Sequence, residues 1–188
     1  MKKKFSILSI IIIAFIGAIL IYTQFDEPEE KIIKNFKDEY TLVSEKNIFK
    51  YSDINEIINI IENKTGVIYF SFPDCPWCQY YAKYLNEYAM QSDIDTIYYY
   101  NIKYDREINS VKYQKLVTLL NDNLFNDEFG NKRIYVPAIV FVQDGKVIYY
   151  KNVNLAGEPS EYFDNDDDKN NLKLELTEYF GKINIENN

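Results

Sequence analysis

The run Val67-Ile68-Tyr69-Phe70-Ser71-Phe72 has almost no polar side chain and no alternation between polar and apolar positions. A strand that is apolar on both faces is stable only when both are covered. This predicts a central strand in a sheet that carries helices on each side. The flanking sequence supplies two such helices. Ile54, Ile57, Ile58 and Ile61 fall at i, i+3, i+4, i+7 before the run, a helical period. Asp53 followed three residues later by Glu56 predicts a capping-box-like start, and Gly66 marks the exit. After the run, Cys78, Tyr81, Ala82, Leu85 and Ala89 share one face of a helix read over residues 76–91.

The rest of the chain continues the alternation. Residues 47–51 alternate as a short strand, and residues 95–104 form a tyrosine-rich strand. A helix is expected through Tyr113, Leu116, Val117, Leu120 and Leu124, followed by a loop over 125–133. Residues 138–142 and 147–150 read as strands joined by a turn at Asp144-Gly145. A last helix places Leu172, Leu176, Tyr179, Phe180 and Ile183 on one stripe. The order β-α-β-α-β-α-β-β-α predicts an α/β fold, a mixed β-sheet with helices on both faces. Strands 67–72 and 95–104, separated by a helix, should be parallel.

Where the central strand meets its helix, the chain reads Cys75-Pro76-Trp77-Cys78, and these are its two cysteines. A C-x-x-C pair at a strand-to-helix junction is placed for a short, reversible disulfide. Cys75 would occupy the first turn, where free N–H groups and the helix dipole stabilise a thiolate, and so reads as the nucleophile. Pro76 suits the first helical position, because the N–H it lacks has no partner there. Cys78, one turn on and facing the core, reads as the resolving thiol. Asp74 would oppose thiolate formation if its carboxylate points at Cys75; as a solvated acid at a helix start it would not. With two thiols and no histidine, neither a disulfide framework nor a four-thiolate metal site can be built, and a zinc site falls short of four ligands unless carboxylates or a second subunit help. No metal or other cofactor is expected, the redox-active group being the Cys75–Cys78 pair. Asp164, Asp166, Asp168 and Glu175 match positions of a calcium loop, but Lys169 stands where that loop requires glycine, and an acid-rich helix start explains the run better.

The N-terminus differs in character. Lys2-Lys3-Lys4 precedes Phe5–Tyr22, which carries no charge. As a helix this stretch is about 27 Å long, enough to cross a hydrocarbon core. Acids follow at Asp26, Glu27, Glu29 and Glu30, so the basic flank places the N-terminus inside the cell and the rest outside the cytoplasm. Residues 1–25 are read as a single-pass anchor in the cell membrane; secretion after signal cleavage is the alternative. Residues 26–46 are read as a linker and 47–188 as the folded domain. The net charge is −8, and residues 1–22 contribute three lysines and no acids. The remainder is more acidic still, which argues against nucleic acid as a partner.

Three segments in order resemble the thioredoxin superfamily over roughly residues 47–185. They are Phe70-Ser71-Phe72-Pro73-Asp74-Cys75-Pro76-Trp77-Cys78, Val136-Pro137-Ala138-Ile139-Val140-Phe141, and Gln143-Asp144-Gly145-Lys146-Val147. With the N-terminal anchor, the chain is similar to membrane-tethered extracytoplasmic members in Gram-positive bacteria, including thioredoxin-like accessory proteins of bacteriocin systems. The resemblance implies a thioredoxin-like sheet and thiol–disulfide exchange on protein substrates, with a membrane redox partner where the pair must be recycled. It implies a cis Pro137 facing the dithiol, Val136 offering backbone groups to an extended substrate, and Trp77 as a substrate contact. Tyr69 stands where the family often has a buried acid, and Ala138 where it has threonine. The direction of exchange stays open. So does a rival role, a non-catalytic accessory or immunity protein using the same scaffold to bind a partner.

Overall fold

The computed structural model describes residues 35–152 and 157–184. The expected N-terminal anchor lies outside the described residues, and among the described residues no helix is long and apolar enough to cross a membrane. The chain forms helix α1 (Phe36–Glu39), β1 (Phe49–Tyr51), α2 (Ile54–Asn63), β2 (Gly66–Ser71), α3 (Pro76–Gln91) and β3 (Ile97–Asn101). Then come α4 (Lys103–Glu107), α5 (Val111–Leu119), a 3-10 turn (Asn121–Asn123), and the short strands β4 (Phe125–Asn126) and β5 (Lys132–Arg133). Strands β6 (Ala138–Gln143) and β7 (Lys146–Asn152) and helices α6 (Pro159–Asp164) and α7 (Asp166–Asn184) complete it.

Five strands form a mixed sheet in the order β1-β3-β2-β6-β7. β1, β3 and β2 run parallel, while β6 pairs antiparallel with both β2 and β7. β2 is central and buried along almost its whole length. Its alternate side chains enter two cores, as the period of a strand requires. Val67 and Tyr69 join Ile97, Tyr99, Ile139 and Phe141 under α1, α3, α6 and α7. Ile68 and Phe70 join Tyr100, Ala138, Val140 and Val142 under α2 and α5. Helices therefore cover both faces, and the apolar run is satisfied on both sides.

Local chemistry accounts for the boundaries. Asp53 caps α2 by accepting the N–H groups of Asn55 and Glu56 at 2.7 and 3.0 Å. Glu56 does not close a capping box; it pairs with Lys50 at 2.6 Å. The helix ends at Lys64, and Gly66 already belongs to β2. The β6–β7 turn needs glycine at position 145. Its φ is +70°, and a Cβ there would lie 2.4 Å from the Glu62 carbonyl oxygen.

Three expectations change. Residues 35–46, read as linker, belong to the folded unit, which begins at Asn35. Phe36, Tyr40 and Val43 are fully buried in the first core, and Phe36 stacks on Tyr40 and Phe49 with ring centroids 4.2 and 4.0 Å apart. The strand read over 95–104 stops at Asn101, whose side chain accepts the Lys103 N–H and turns the chain into α4. The loop read over 125–133 contains the small β4–β5 ladder, closed by Asp127, which accepts the N–H groups of Phe129 and Asn131.

Candidate functional site

The site forms at the carboxyl end of the parallel strands β2 and β3, the usual place for a crevice in an open α/β sheet. Phe70 is level with Tyr100 on one side and Ala138 on the other. The register sets Asn101, just before α4, beside Ser71, and Val136–Pro137 leads directly into Ala138 opposite Phe70. The Cys75 turn, the Val136–Pro137 segment and α4 thus emerge from one edge. The Val136–Pro137 peptide bond is cis, and the Pro137 carbonyl accepts a hydrogen bond from Asn152 at 3.1 Å.

Cys75 is the N-cap of α3. Its backbone is extended (φ −94°, ψ 112°), and Pro76 opens the helix. Serine, threonine and aspartate usually fill an N-cap, because their oxygen accepts a free N–H of the first turn. Here sulfur does so: Cys75 Sγ accepts the Cys78 N–H at 3.2 Å. The Cys78 thiol, together with the N–H groups of Cys78 and Trp77 and the charge of Arg106, holds the Cys75 thiol below its ordinary value. Cys78 is fully buried. Burial, then the hydrogen bond and charge of Cys75, push its thiol well up. One sulfur is half-buried with its thiol shifted down; the other is fully buried with its thiol shifted up.

Beneath the pair lies a cluster of hydroxyls. Tyr69 donates to the Cys78 carbonyl at 2.9 Å, and its hydroxyl also lies against the Cys78 thiol. Ser71 shares a 2.5 Å hydrogen bond with Tyr40, which donates to the Tyr99 hydroxyl at 3.3 Å. Burial holds the Tyr69 hydroxyl far above the usual phenol range, so it is a neutral donor. The position where a buried acid might stand is therefore a neutral phenol bonded to the Cys78 carbonyl.

The rim carries Asp74 and Trp77. Asp74 is exposed, and its carboxylate is held by Lys103 at 2.7 Å, an ion pair that answers its charge. Trp77 is half-buried, its ring 5.9 Å from Tyr162 and 6.1 Å from Phe163, so much of it packs on α6. Gln79 ties the turn to α1, donating to the carbonyls of Pro73 and Glu39 at 2.9 and 2.7 Å. Arg106, which sequence reasoning did not single out, lies over the Phe72 ring at 5.2 Å and donates to the Ile134 carbonyl at 3.4 Å. A cation between two apolar segments has no periodic signature, and only the folded chain brings it near Cys75.

The four acids of the calcium-loop match do not converge. Asp166 pairs with Lys169, and Glu175 is engaged by Tyr149 and Lys151. Among the described residues no cluster of three or more acids or cysteines is placed to hold a metal ion. No family model matches the chain, and comparison with curated proteins finds no relative.

Proposed function

We propose that the chain is a thioredoxin-like thiol–disulfide oxidoreductase acting on protein thiols and disulfides. In this reading its N-terminal apolar segment tethers it to the cell membrane, with the folded unit outside the cytoplasm. The observation that carries the reading is the asymmetry of the two sulfurs. Cys75 caps a helix with its Sγ 3.2 Å from the Cys78 N–H, while Cys78 is buried behind it.

The chemistry balances on these two groups. The Cys75 thiolate attacks one sulfur of a substrate disulfide, the substrate S–S bond breaks, and a substrate thiolate leaves. The Cys78 thiol then gives up its proton and attacks the Cys75 sulfur. The Cys75–Cys78 disulfide forms, and the second substrate sulfur departs and takes up a proton. The substrate gains two electrons and two protons; the pair supplies both electrons and the Cys78 proton, and solvent protonates the substrate thiolate that left first. An external thiol donor, such as a membrane redox partner, restores the dithiol; run backwards, the same steps oxidise a substrate.

The test is insulin reduction and peptide oxidation by the full chain, with Cys75→Ser as control. Activity should require Cys75. Equal activity in wild type and Cys75→Ser would end the enzymatic reading and leave the scaffold as a partner-binding module.

A further inference from the structure

The folded chain is strongly acidic, yet Arg106, whose charge reaches Cys75, shares a cleft with a second arginine, Arg133. Arg106 leaves α4 and stacks on Phe72, whose carbonyl accepts the Cys75 N–H at 3.2 Å. On its other side it reaches the Ile134 carbonyl, in the segment that leads to Val136 and Pro137. Arg106 thus bridges the two loops that bound the site. Arg133, on β5, is near enough for its charge to repel that of Arg106. Among the described residues neither arginine forms an ion pair, and the Nε of Arg106 is buried without a hydrogen-bond partner.

Two like charges side by side are unfavourable, and a buried donor without an acceptor costs free energy. The nearby acids do not resolve this. Glu107 lines the same cleft but among the described residues forms no ion pair with either arginine, and Asp127 is spent on the backbone of the β4–β5 turn. The two arginines line a cleft of about 480 Å³ together with Tyr113, Asp127 and Lys132, and Lys132 is tied to the Leu124 carbonyl at 2.6 Å. The cleft's three cations outnumber its two carboxylates, Glu107 and Asp127, and a further anion with planar, paired acceptors has the geometry that guanidinium groups match best.

We propose that Arg106 and Arg133 form a subsite for a carboxylate side chain of the polypeptide substrate, an Asp or Glu flanking the cysteine under attack. The inference rests on the oxidoreductase reading and adds a substrate class to it. Polypeptides with acidic residues beside their disulfide would be processed in preference to neutral or basic ones.

The experiment uses the full chain with dithiothreitol as electron donor. Its probes are three synthetic peptides, each with one internal disulfide, that differ only in whether Glu, Gln or Lys flanks the cysteines. The Glu peptide should be reduced with a kcat/KM about tenfold above the Gln peptide, the range of a charge-assisted hydrogen-bonded contact. The Lys peptide should be slowest. Among the described residues the Arg133 side chain makes no hydrogen bond, and Arg133→Gln should bring the Glu-to-Gln ratio within about twofold, as should raised salt. Lys146→Gln, on the β6–β7 hairpin, should keep the ratio. Equal rates for the Glu and Gln peptides, or a Glu preference that survives Arg133→Gln, would overturn the subsite and leave the oxidoreductase reading standing. Reduction of none of the three peptides would overturn both.

Discussion

Replacing Phe36 by alanine tests whether residues 35–46 are a tether or part of the machine. Phe36 is 2% exposed. Its ring stacks on Tyr40 and Phe49 and meets Tyr99 edge-on at 5.0 Å. Truncating a buried phenylalanine to alanine costs about 3–5 kcal/mol, the transfer free energy of the ring plus the cavity it leaves. The site lies near β1, at the edge of the sheet, where neighbours can partly collapse, so the lower end, about 3 kcal/mol, applies. For a unit of this size each kcal/mol lowers Tm by about 2–4 °C, giving a drop of roughly 6–12 °C. The companion Leu42→Ala, at a side chain 40% exposed, should cost under about 1 kcal/mol. Denaturant unfolding with an unchanged slope is the assay. The effect should reach the site, because Tyr40 stacks on Phe36 and bonds Ser71 beneath Cys78. A Phe36→Ala protein as stable as wild type would refute the packing of this segment and restore it to the linker.

Three further outcomes are expected. In reduced protein, iodoacetamide alkylation of Cys75 should rise with pH through a midpoint below the ordinary thiol value of about 8.5. The reduced fold should then lose stability as pH falls through that depressed value. Cys78→Ala should move the alkylation midpoint upward, since the Cys78 thiol is the largest stabiliser of the Cys75 thiolate; a midpoint unmoved in the variant counts against this. Tyr69→Phe should cost about 1 kcal/mol for one lost hydrogen bond and lengthen the life of the Cys75–substrate mixed disulfide, visible after acid quench on a non-reducing gel. Unchanged release kinetics would show that the hydroxyl does nothing for Cys78. Gly145→Ala should destabilise by at least about 2 kcal/mol, since it forces a positive φ on alanine and drives its Cβ at the Glu62 backbone.

The sheet was legible because its apolar strands and isoleucine-rich helix carry clean periods, and because Gly145 and Asp144 name their turn. The start of the folded unit was not. Charged Lys34, Lys37, Asp38 and Glu39 surround Phe36, and its four-residue helix is too short to show a period. At the site, local chemistry announced Cys75, Pro76 and Cys78, since a strand-to-helix junction fixes their roles within a few residues. Asp74 was ambiguous because its partner, Lys103, lies in another element. Tyr40 and Arg106 could not be read locally, because each reaches the site from a helical segment distant in sequence from the dithiol.

The central claim is that Cys75 and Cys78 act as one dithiol couple. It is tested most directly by equilibrating the full chain in glutathione buffers and counting free thiols by mass after acid trapping. The account predicts that both thiols disappear together in a single two-electron transition, about 30 mV per tenfold change in the ratio of couples, at a potential between about −270 and −120 mV. Cys75→Ser should abolish the transition. Two thiols that react independently, or a Cys75 that only takes up glutathione while Cys78 stays free, would contradict it.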